Sequence, residues 1–172
     1  EQGIQPDQAT ILCTLNACSS MRAVTWGRIV HAKIIESFLA SGPVLGNTLV
    51  EMYVKCGSME EARNVFNKLS DRTVVSYAAI IRGYIEHRDV AIAMQLFRDM
   101  LLENIEGNDV LFLHIVKACG QVGVTGVGRL FHVQIVENGL DMNLIIGSAL
   151  IDMYAKCGSL QEAHNLLILM PH

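Results

Sequence analysis

The 172-residue sequence has no long apolar run and little excess of one charge. No stretch approaches the roughly 18 apolar residues that a membrane-spanning helix needs, so we expect no membrane association. Thirteen Lys and Arg residues stand against seventeen Asp and Glu residues, a formal net charge of −4. This balance argues against a protein that binds nucleic acid mainly through bulk positive charge, but it does not exclude one that recognises bases in a locally arranged groove.

Motifs of metal and catalytic sites are also missing. The sequence has no C-x-x-C pair and no paired histidine spacing of the kind that binds zinc. No histidine is followed two residues later by glutamate, as in the zinc deaminases. A Gly-rich phosphate loop and a G-x-S-x-G turn are absent as well. We therefore expect no enzyme activity, no metal and no cofactor in this chain.

What the sequence does contain is one string written twice. The eight residues 52–59 return at 153–160, 101 residues later, with six of the eight positions identical. A fixed offset of this kind predicts a repeat architecture. Weaker sequence similarity at offsets of 31 and 35 residues divides the 101-residue spacing into repeat units. We interpret residues 1–7 as the tail of a preceding unit. The predicted units are 8–42, 43–73, 74–108, 109–143 and 144–172, the last of them incomplete.

Each unit carries two helical patterns. In 43–73, apolar residues recur at helical spacing until Lys55, and Gly57 is a natural left-handed C-cap. Ser58 then begins a second helix, in which Glu61 completes a capping box. Ser159 and Glu162 repeat this box, and Asp89 is the matching cap in 74–108. No stretch shows the alternation of apolar and polar residues that is typical of β-strands. The sequence therefore predicts an all-α protein, a right-handed α-solenoid of about five helix–turn–helix units.

Several chemically reactive residues recur with the repeat. Cysteines occupy equivalent places, Cys18 with Cys119 and Cys56 with Cys157. This recurrence favours small buried packing residues, with a disulfide or metal role as the alternative. His31 and His132 are predicted to have packing or surface roles, and Tyr53, Tyr84 and Tyr154 are predicted core aromatics. Ala62, Ala93, Gly27 and Gly128 are small enough to let two helices approach closely.

The repeated segments resemble a known family. Ala-Cys at 17–18, Gly-Arg-x-x-His at 27–31 and the string G-N-x-L-V-x-M-Y-x-K-C-G-S-x-x-E-A at 46–62 are similar to plant pentatricopeptide repeats. The unequal unit lengths resemble the mixed P-L-S class. In that class 8–42 and 109–143 look like long-type units, 43–73 and 144–172 like short-type units, and 74–108 like the standard type.

The resemblance implies a single-stranded RNA reader of mitochondria or chloroplasts, most typically the specificity part of a C-to-U editing factor. Such proteins read one base per repeat with two or three side chains. The family's reading residues are the fifth and the last of each unit. Here they are Asn47 with Thr73, Ala78 with Asn108, and Ser148.

These reading residues differ in what they offer a base. The resemblance implies a preference for pyrimidines at Asn47, which presents a donor and an acceptor together, and for purines at Ser148. Ala78 cannot hydrogen-bond, which departs from the family's pattern. The long-type units offer poor pairs, Leu12/Gly42 and Leu113/Asn143.

Other positions have a functional and a structural interpretation. Asn47 either reads a base or satisfies the start of its helix. The second residues of three units either sandwich bases or belong to the core between repeats; they are Val44, Val75 and Ile145. Lys55 and Lys156 either contact phosphates or only stabilise the C-terminal ends of their helices.

The rival function class is a protein-interaction solenoid. In the resembled family, long-type units dock auxiliary RNA-editing proteins, so both roles are compatible, and a role in splicing or RNA stability is a further alternative. Terminal repeats expose apolar faces, so we expect self-association through Leu166, Leu167, Ile168 and Leu169. Because the chain starts at Glu1 inside a repeat, we expect a fragment whose targeting segment lies elsewhere and which lacks a catalytic C-terminal domain.

Overall fold

The computed structural model describes residues 7–36, 42–140 and 143–170, and in these ranges all regular structure is helical. The odd-numbered helices begin at the first residue of each predicted unit, although the division into units remains an interpretation of the sequence. The helices are α1 Gln8–Met21, α2 Val24–Glu36, α3 Pro43–Lys55, α4 Met59–Asn67, α5 Val74–Glu86, α6 Val90–Leu102, α7 Asp109–Val122, α8 Thr125–Glu137, α9 Leu144–Lys156 and α10 Leu160–Leu169.

Two compact units make up the chain, Glu1–Gly83 and Tyr84–His172. In the first unit, α1 packs on α2 and α3, and α3 packs on α4. In the second unit, α7 packs on α8 and α9, and α9 packs on α10. The first helices α1, α3, α7 and α9 therefore each contact both their own second helix and a neighbouring first helix, which is how a repeat buries an apolar face that it cannot bury alone.

The repeated Lys-Cys-Gly-Ser string forms the turn between two helices. Gly57 has φ +75° and Gly158 has φ +76°, the left-handed conformation that glycine adopts without strain. The N–H of Gly57 donates to the carbonyl of Val54, and the N–H of Ser58 donates to that of Tyr53, both at 2.9 Å. This pair of bonds is a Schellman motif, so the predicted C-cap is confirmed.

The predicted capping boxes are wrong. Ser58 and Ser159 do stand at the N-caps of α4 and α10, but neither side chain makes a capping hydrogen bond. The carboxylate of Glu61 is instead bound by Arg28 of α2, with Nε 3.0 Å from Oε1. Glu162 is held in the same way by Arg129. The N–H of Ser58 already donates to the carbonyl of Tyr53 at 2.9 Å, so it is not available to Glu61, whereas Arg28 offers the carboxylate a full positive charge and several N–H groups.

Small residues bring helices together where the sequence predicts it. A Cβ added at Gly27 would lie 2.5 Å from Sδ of Met52, and one added at Gly128 would lie 2.6 Å from Sδ of Met153. Ala62 is fully buried. Methionine fills the space that each glycine leaves, which suits its flexible side chain.

The predicted core aromatics are confirmed. Tyr53, Tyr84 and Tyr154 are buried. The hydroxyl groups of Tyr53 and Tyr154 lie 3.0 Å from Nδ1 of His31 and His132 respectively, so each recurring histidine satisfies a tyrosine hydroxyl. Burial, with a smaller contribution from the charge of Lys68, lowers the pKa of His31.

The prediction of buried cysteines is confirmed for one of the two recurring pairs. Cys18 and Cys119 are buried, whereas Cys56 and Cys157 are only partly buried and Cys13 is exposed. Burial raises the pKa of Cys119 to about 12, which leaves its thiol protonated and unreactive at neutral pH. Within the described ranges, no helix is long and apolar enough to cross a lipid bilayer.

We predict that Gly120→Ala destabilises the protein by about 1–2 kcal/mol. The added Cβ would lie 3.0 Å from the Cα of Met153, and a backbone atom cannot yield as a side chain can, so α7 and α9 must separate. This strain exceeds the gain in helix propensity of about 1 kcal/mol. The matched control is Gly126→Ala in α8, where nothing lies within 4 Å of the added Cβ. Urea unfolding followed by circular dichroism should show that the free energy of unfolding of Gly126→Ala is equal to or greater than that of the wild type. Equal stabilities for the two variants would contradict this account of the helix contact.

Candidate nucleic-acid interface

The structure brings Asn47 and Thr73 together. Asn47 lies on α3 and Thr73 immediately precedes α5, and the Nδ2 of Asn47 donates to the hydroxyl of Thr73 at 3.1 Å. The other amide atom, Oδ1, is buried and accepts no hydrogen bond. The alternative in which Asn47 satisfies the start of its helix is wrong, because Gly42 is the N-cap of α3. The side chain instead bridges from one helix to the residue before another.

Thr73 is itself held in place by Ser76, a residue that the sequence reasoning missed. The N–H of Thr73 donates to Oγ of Ser76 at 2.9 Å, and that hydroxyl donates to the carbonyl of Thr73 at 2.8 Å. The N–H of Ser76 also approaches the hydroxyl of Thr73 at 3.4 Å. Ser76 is fully buried. The T-x-x-S spacing resembles that of a capping box, and this signal makes Ser76 recognisable from the sequence as the residue that positions Thr73.

The last residues of the other predicted units are helix caps. Oδ1 of Asn108 accepts from the N–H of Leu111 at 2.9 Å at the start of α7. Oδ1 of Asn143 accepts from the N–H of Ile145 at 2.9 Å at the start of α9. An oxygen that caps a helix is already engaged, but both amide groups retain their donors. Thr73 accepts a hydrogen bond from Asn47, the fifth residue of its own unit, through its side-chain hydroxyl.

Three apolar residues at the starts of the first helices are exposed. Val44 is 57% exposed, Val75 is 58% exposed and Ile145 is 65% exposed. The alternative that assigned them to the core between repeats is therefore wrong. Exposed β-branched side chains beside the reading positions are available to pack against flat ring systems.

Ser148 and Ala78 have opposite surroundings. Ala78 is only 6% exposed, so it offers neither a polar atom nor much surface. Ser148 is exposed on α9. It lines a groove of about 500 Å³ between α7 and α9, together with Leu113, Lys117, Leu144, Ile145, Ala149 and Asp152. This groove combines apolar walls with a hydroxyl, a carboxylate and an ammonium group.

Both lysines with a predicted phosphate contact lie in ion pairs. Lys55 Nζ is 3.2 Å from a carboxylate oxygen of Glu51, one turn earlier on α3. Lys156 Nζ is 2.6 Å from Asp152, one turn earlier on α9. Glu51 also binds Arg82 of α5, with Nη2 at 2.8 Å and 2.7 Å from its two oxygens. Both lysines are exposed, so their position also agrees with the helix-end role.

The described residues contain no group of three or more His, Cys, Asp or Glu side chains arranged to hold a metal ion. The recurring His–Tyr and Arg–Glu pairs lie between helices α2, α3 and α4 in the first unit and between α8, α9 and α10 in the second. None of these pairs includes a predicted reading residue. Their contacts are those of packing between neighbouring repeats.

Comparison with known proteins identifies the repeat. A family model described as PPR repeat matches residues 47–74, 75–105 and 148–172. A chloroplastic pentatricopeptide repeat-containing protein of Arabidopsis thaliana is 34% identical over 96% of this chain and 27% of its own length. A mitochondrial relative from the same plant is 36% identical over 99% of this chain and 19% of its own length. The chain thus spans about a quarter or less of either relative.

Solved structures share the fold. The crystal structure of the pentatricopeptide repeat protein PPR10 in complex with an 18-nt psaJ RNA element matches with a TM-score of 0.78 at 22% identity, over 96% of this chain and 25% of that chain. PPR10 from maize matches with a TM-score of 0.71, over 96% of this chain and 24% of that one. The predicted all-α repeat fold is confirmed. With its three matched repeats, its relatives and this shared fold, the chain belongs to the pentatricopeptide repeat family.

Proposed function

We propose that this chain is a sequence-specific module that binds single-stranded RNA. The observation that carries the proposal is the hydrogen bond between Asn47 and Thr73, which leaves the buried Oδ1 of Asn47 unsatisfied. A buried acceptor without a partner costs about 1–3 kcal/mol. Asn47 as a residue is partly exposed, so its side chain can turn toward a bound base. A base that offers an N–H to Oδ1 then recovers that cost, whereas an unsuitable base does not.

The chemistry of the pair allows Asn47 to bind either pyrimidine, the class of base that the family resemblance implies. The hydroxyl of Thr73 can donate or accept. Rotation of the Asn47 amide by half a turn therefore keeps the bond to Thr73 and exchanges the acceptor on the base side for a donor. The acceptor suits the N3–H of uracil and the donor suits the N3 of cytosine. The exposed side chains of Val44 and Val75 supply apolar surface for the ring.

Membership of the family supports the proposal. The protein in one matching structure was crystallised with an 18-nt RNA element, and relatives are named chloroplastic or mitochondrial. We propose that this chain acts in RNA metabolism in one of these two organelles. Within that role, we propose a P-L-S array that supplies the specificity of C-to-U editing. Splicing or RNA stability is the alternative use of the same interface.

We propose that this chain binds the RNA and that another domain or protein carries out the deamination. Deamination of a base uses a zinc-bound water and a glutamate that moves the proton. The reading residues of this chain are amides, hydroxyls and alkyl groups, which select a base without reacting with it. The base to be edited is then set by its distance from the bases that the array binds.

Selection from a random single-stranded RNA pool at low salt tests the proposed function. Units 43–73 and 144–172 are the second and fifth of the array, and one base per repeat places their bases three nucleotides apart. We expect enriched sequences with a pyrimidine at one position and a purine three positions away. Duplex RNA of the same sequences should bind much more weakly. A pool that shows no enrichment, or equal binding of duplex and single strand, would contradict the proposal.

A second function, docking of auxiliary editing proteins, is favoured by exposed apolar residues on the second helices of the long-type units. On α2 these are Ile29 and Ile35, and on α8 they are Leu130, Val133 and Val136.

Self-association is proposed through exposed apolar residues of α10. Leu167, Ile168 and Leu169 are exposed, while Leu166 is partly buried. We propose that these four residues form the contact between two copies of the chain. Sedimentation velocity should show dimers that are lost in Leu167→Glu/Ile168→Glu, and a wild type that stays monomeric at high concentration would refute self-association.

A further inference from the structure

Each of the two lysines predicted to contact phosphates has an acidic residue four positions earlier on the same helix. Glu51 precedes Lys55 by four residues, and Asp152 precedes Lys156 by four. The two acidic residues are equivalent at the 101-residue offset. Each forms an ion pair with its lysine, at 3.2 Å and 2.6 Å respectively. The pairing therefore occurs twice, once in each compact unit.

The carboxylates lie between the residues predicted to hold a base and those predicted to hold a phosphate. Val44, Glu51 and Lys55 follow one another at i, i+7 and i+11 on α3, a spacing that places them on a single stripe of the helix. Ile145, Asp152 and Lys156 have the same spacing on α9. Since Val44 and Ile145 are exposed, these stripes face outward. Each carboxylate thus separates the apolar side chain predicted to hold a base from the lysine predicted to hold a phosphate.

The electrostatics around Glu51 favour its ion pairs. Burial alone would raise the pKa of Glu51, but hydrogen bonds and charges from Arg82 and Lys55 outweigh this effect and hold the pKa below its ordinary value. Glu51 is therefore ionised at neutral pH and binds two cations. In the second unit, Asp152 lines the 500 Å³ groove with Lys117 and Ser148.

We infer that Glu51 and Asp152 are specificity-determining residues, which hold Lys55 and Lys156 in ion pairs and so weaken the attachment of single-stranded RNA through its phosphates. The inference rests on the proposed RNA-binding function. Phosphate contacts carry no sequence information, whereas contacts to bases do. Suppression of the phosphate contribution leaves binding dependent on side chains such as Asn47 and Ser148.

The test is a double-mutant cycle in the second unit, where the lysine's acidic partner is not also held by an arginine. The proteins are the wild type, Asp152→Asn, Lys156→Gln and the double variant, and the probe is a fluorescent single-stranded RNA of random sequence. We expect Asp152→Asn to bind about 3- to 10-fold more tightly at 50 mM salt. Its slope of log K against log salt concentration should be steeper by about 0.7, the value for one additional phosphate on a single strand. Glu51→Gln should also tighten binding, but it disturbs the bonds to Arg82 as well, so its salt slope is not used in the cycle.

The controls separate release of the lysine from simple loss of negative charge. Glu137→Gln removes one carboxylate from the exposed end of α8 and should leave both affinity and slope unchanged. In the Lys156→Gln background, Asp152→Asn should give no gain. An equal gain in both backgrounds, or the same gain from Glu137→Gln, would overturn the inference. If the wild type binds RNA and Asp152→Asn binds identically, only this inference fails. If no variant binds RNA at all, the proposed function fails with it.

Discussion

Replacement of Asn47 by serine is expected to change the base preferred at one position of a bound RNA from a pyrimidine to a purine. Serine is shorter than asparagine, so it cannot reach Thr73 as the wild-type Nδ2 does at 3.1 Å. The space that it vacates admits a larger ring, and its hydroxyl can donate or accept at the edge of that ring. A serine already stands at the equivalent position of the fifth unit, Ser148.

The expected magnitude follows from one hydrogen bond to a buried group. Loss of a partner for such a group costs about 1–3 kcal/mol, and 1.4 kcal/mol corresponds to about tenfold in affinity. Equilibrium binding of two RNAs that differ at one base should therefore show a preference reversed by about tenfold or more. Asn64→Ser, on the exposed surface of α4, is the matched control and should bind both RNAs as the wild type does. A variant at Asn47 that loses affinity for both RNAs equally would show that Asn47 positions the site without reading the base.

Phe131→Ala is expected to be the most destabilising single substitution among those considered. Phe131 is fully buried in the second unit, and its ring lies edge-on to that of Phe97 with centroids 5.0 Å apart. Truncation of a buried phenylalanine costs about 3–5 kcal/mol, because transfer free energy is lost and a cavity remains. Since whole domains are stable by only about 5–15 kcal/mol, this variant should be close to unfolding at room temperature.

The neighbouring residue supplies the control for this prediction. Leu130 is 53% exposed on the same helix, so Leu130→Ala should change the free energy of unfolding by less than about 0.5 kcal/mol. Denaturant unfolding of the three proteins, followed by circular dichroism, measures the difference. A loss of stability of similar size in both variants would contradict the assignment of Phe131 to the core.

The helices were predictable because their signals are local. Left-handed glycines such as Gly57 end helices wherever they occur, and apolar residues at helical spacing mark the buried faces. The spacing of 101 residues between the copies then located Asn47 and Ser148, since equivalent positions of a repeat occupy equivalent places in the fold. Residues that the repeat conserves within this chain, such as Tyr53 and Tyr154, proved to be packing residues.

The errors and omissions arise from contacts between residues far apart in the sequence. Glu61 matches the capping pattern, but Arg28, 33 residues earlier, binds its carboxylate. No local rule weighs these two partners against each other. Ser76 is the exception, because it lies only three residues from Thr73 and the T-x-x-S spacing was visible in the sequence; its importance follows only from the hydrogen bond between Thr73 and Asn47. The acidic partner of Lys55 was visible as a Glu at i−4, although only the structure shows that the pair lies on the exposed stripe.

The central claim is that the fifth residues read bases independently on a common scaffold, and a reciprocal exchange tests it most directly. The double variant Asn47→Ser/Ser148→Asn keeps the composition of the chain and exchanges the side chains at the two equivalent positions. Selection from a random single-stranded RNA pool should return the wild-type motif with the pyrimidine and the purine exchanged between two positions three nucleotides apart. An enriched motif identical to that of the wild type would contradict the claim.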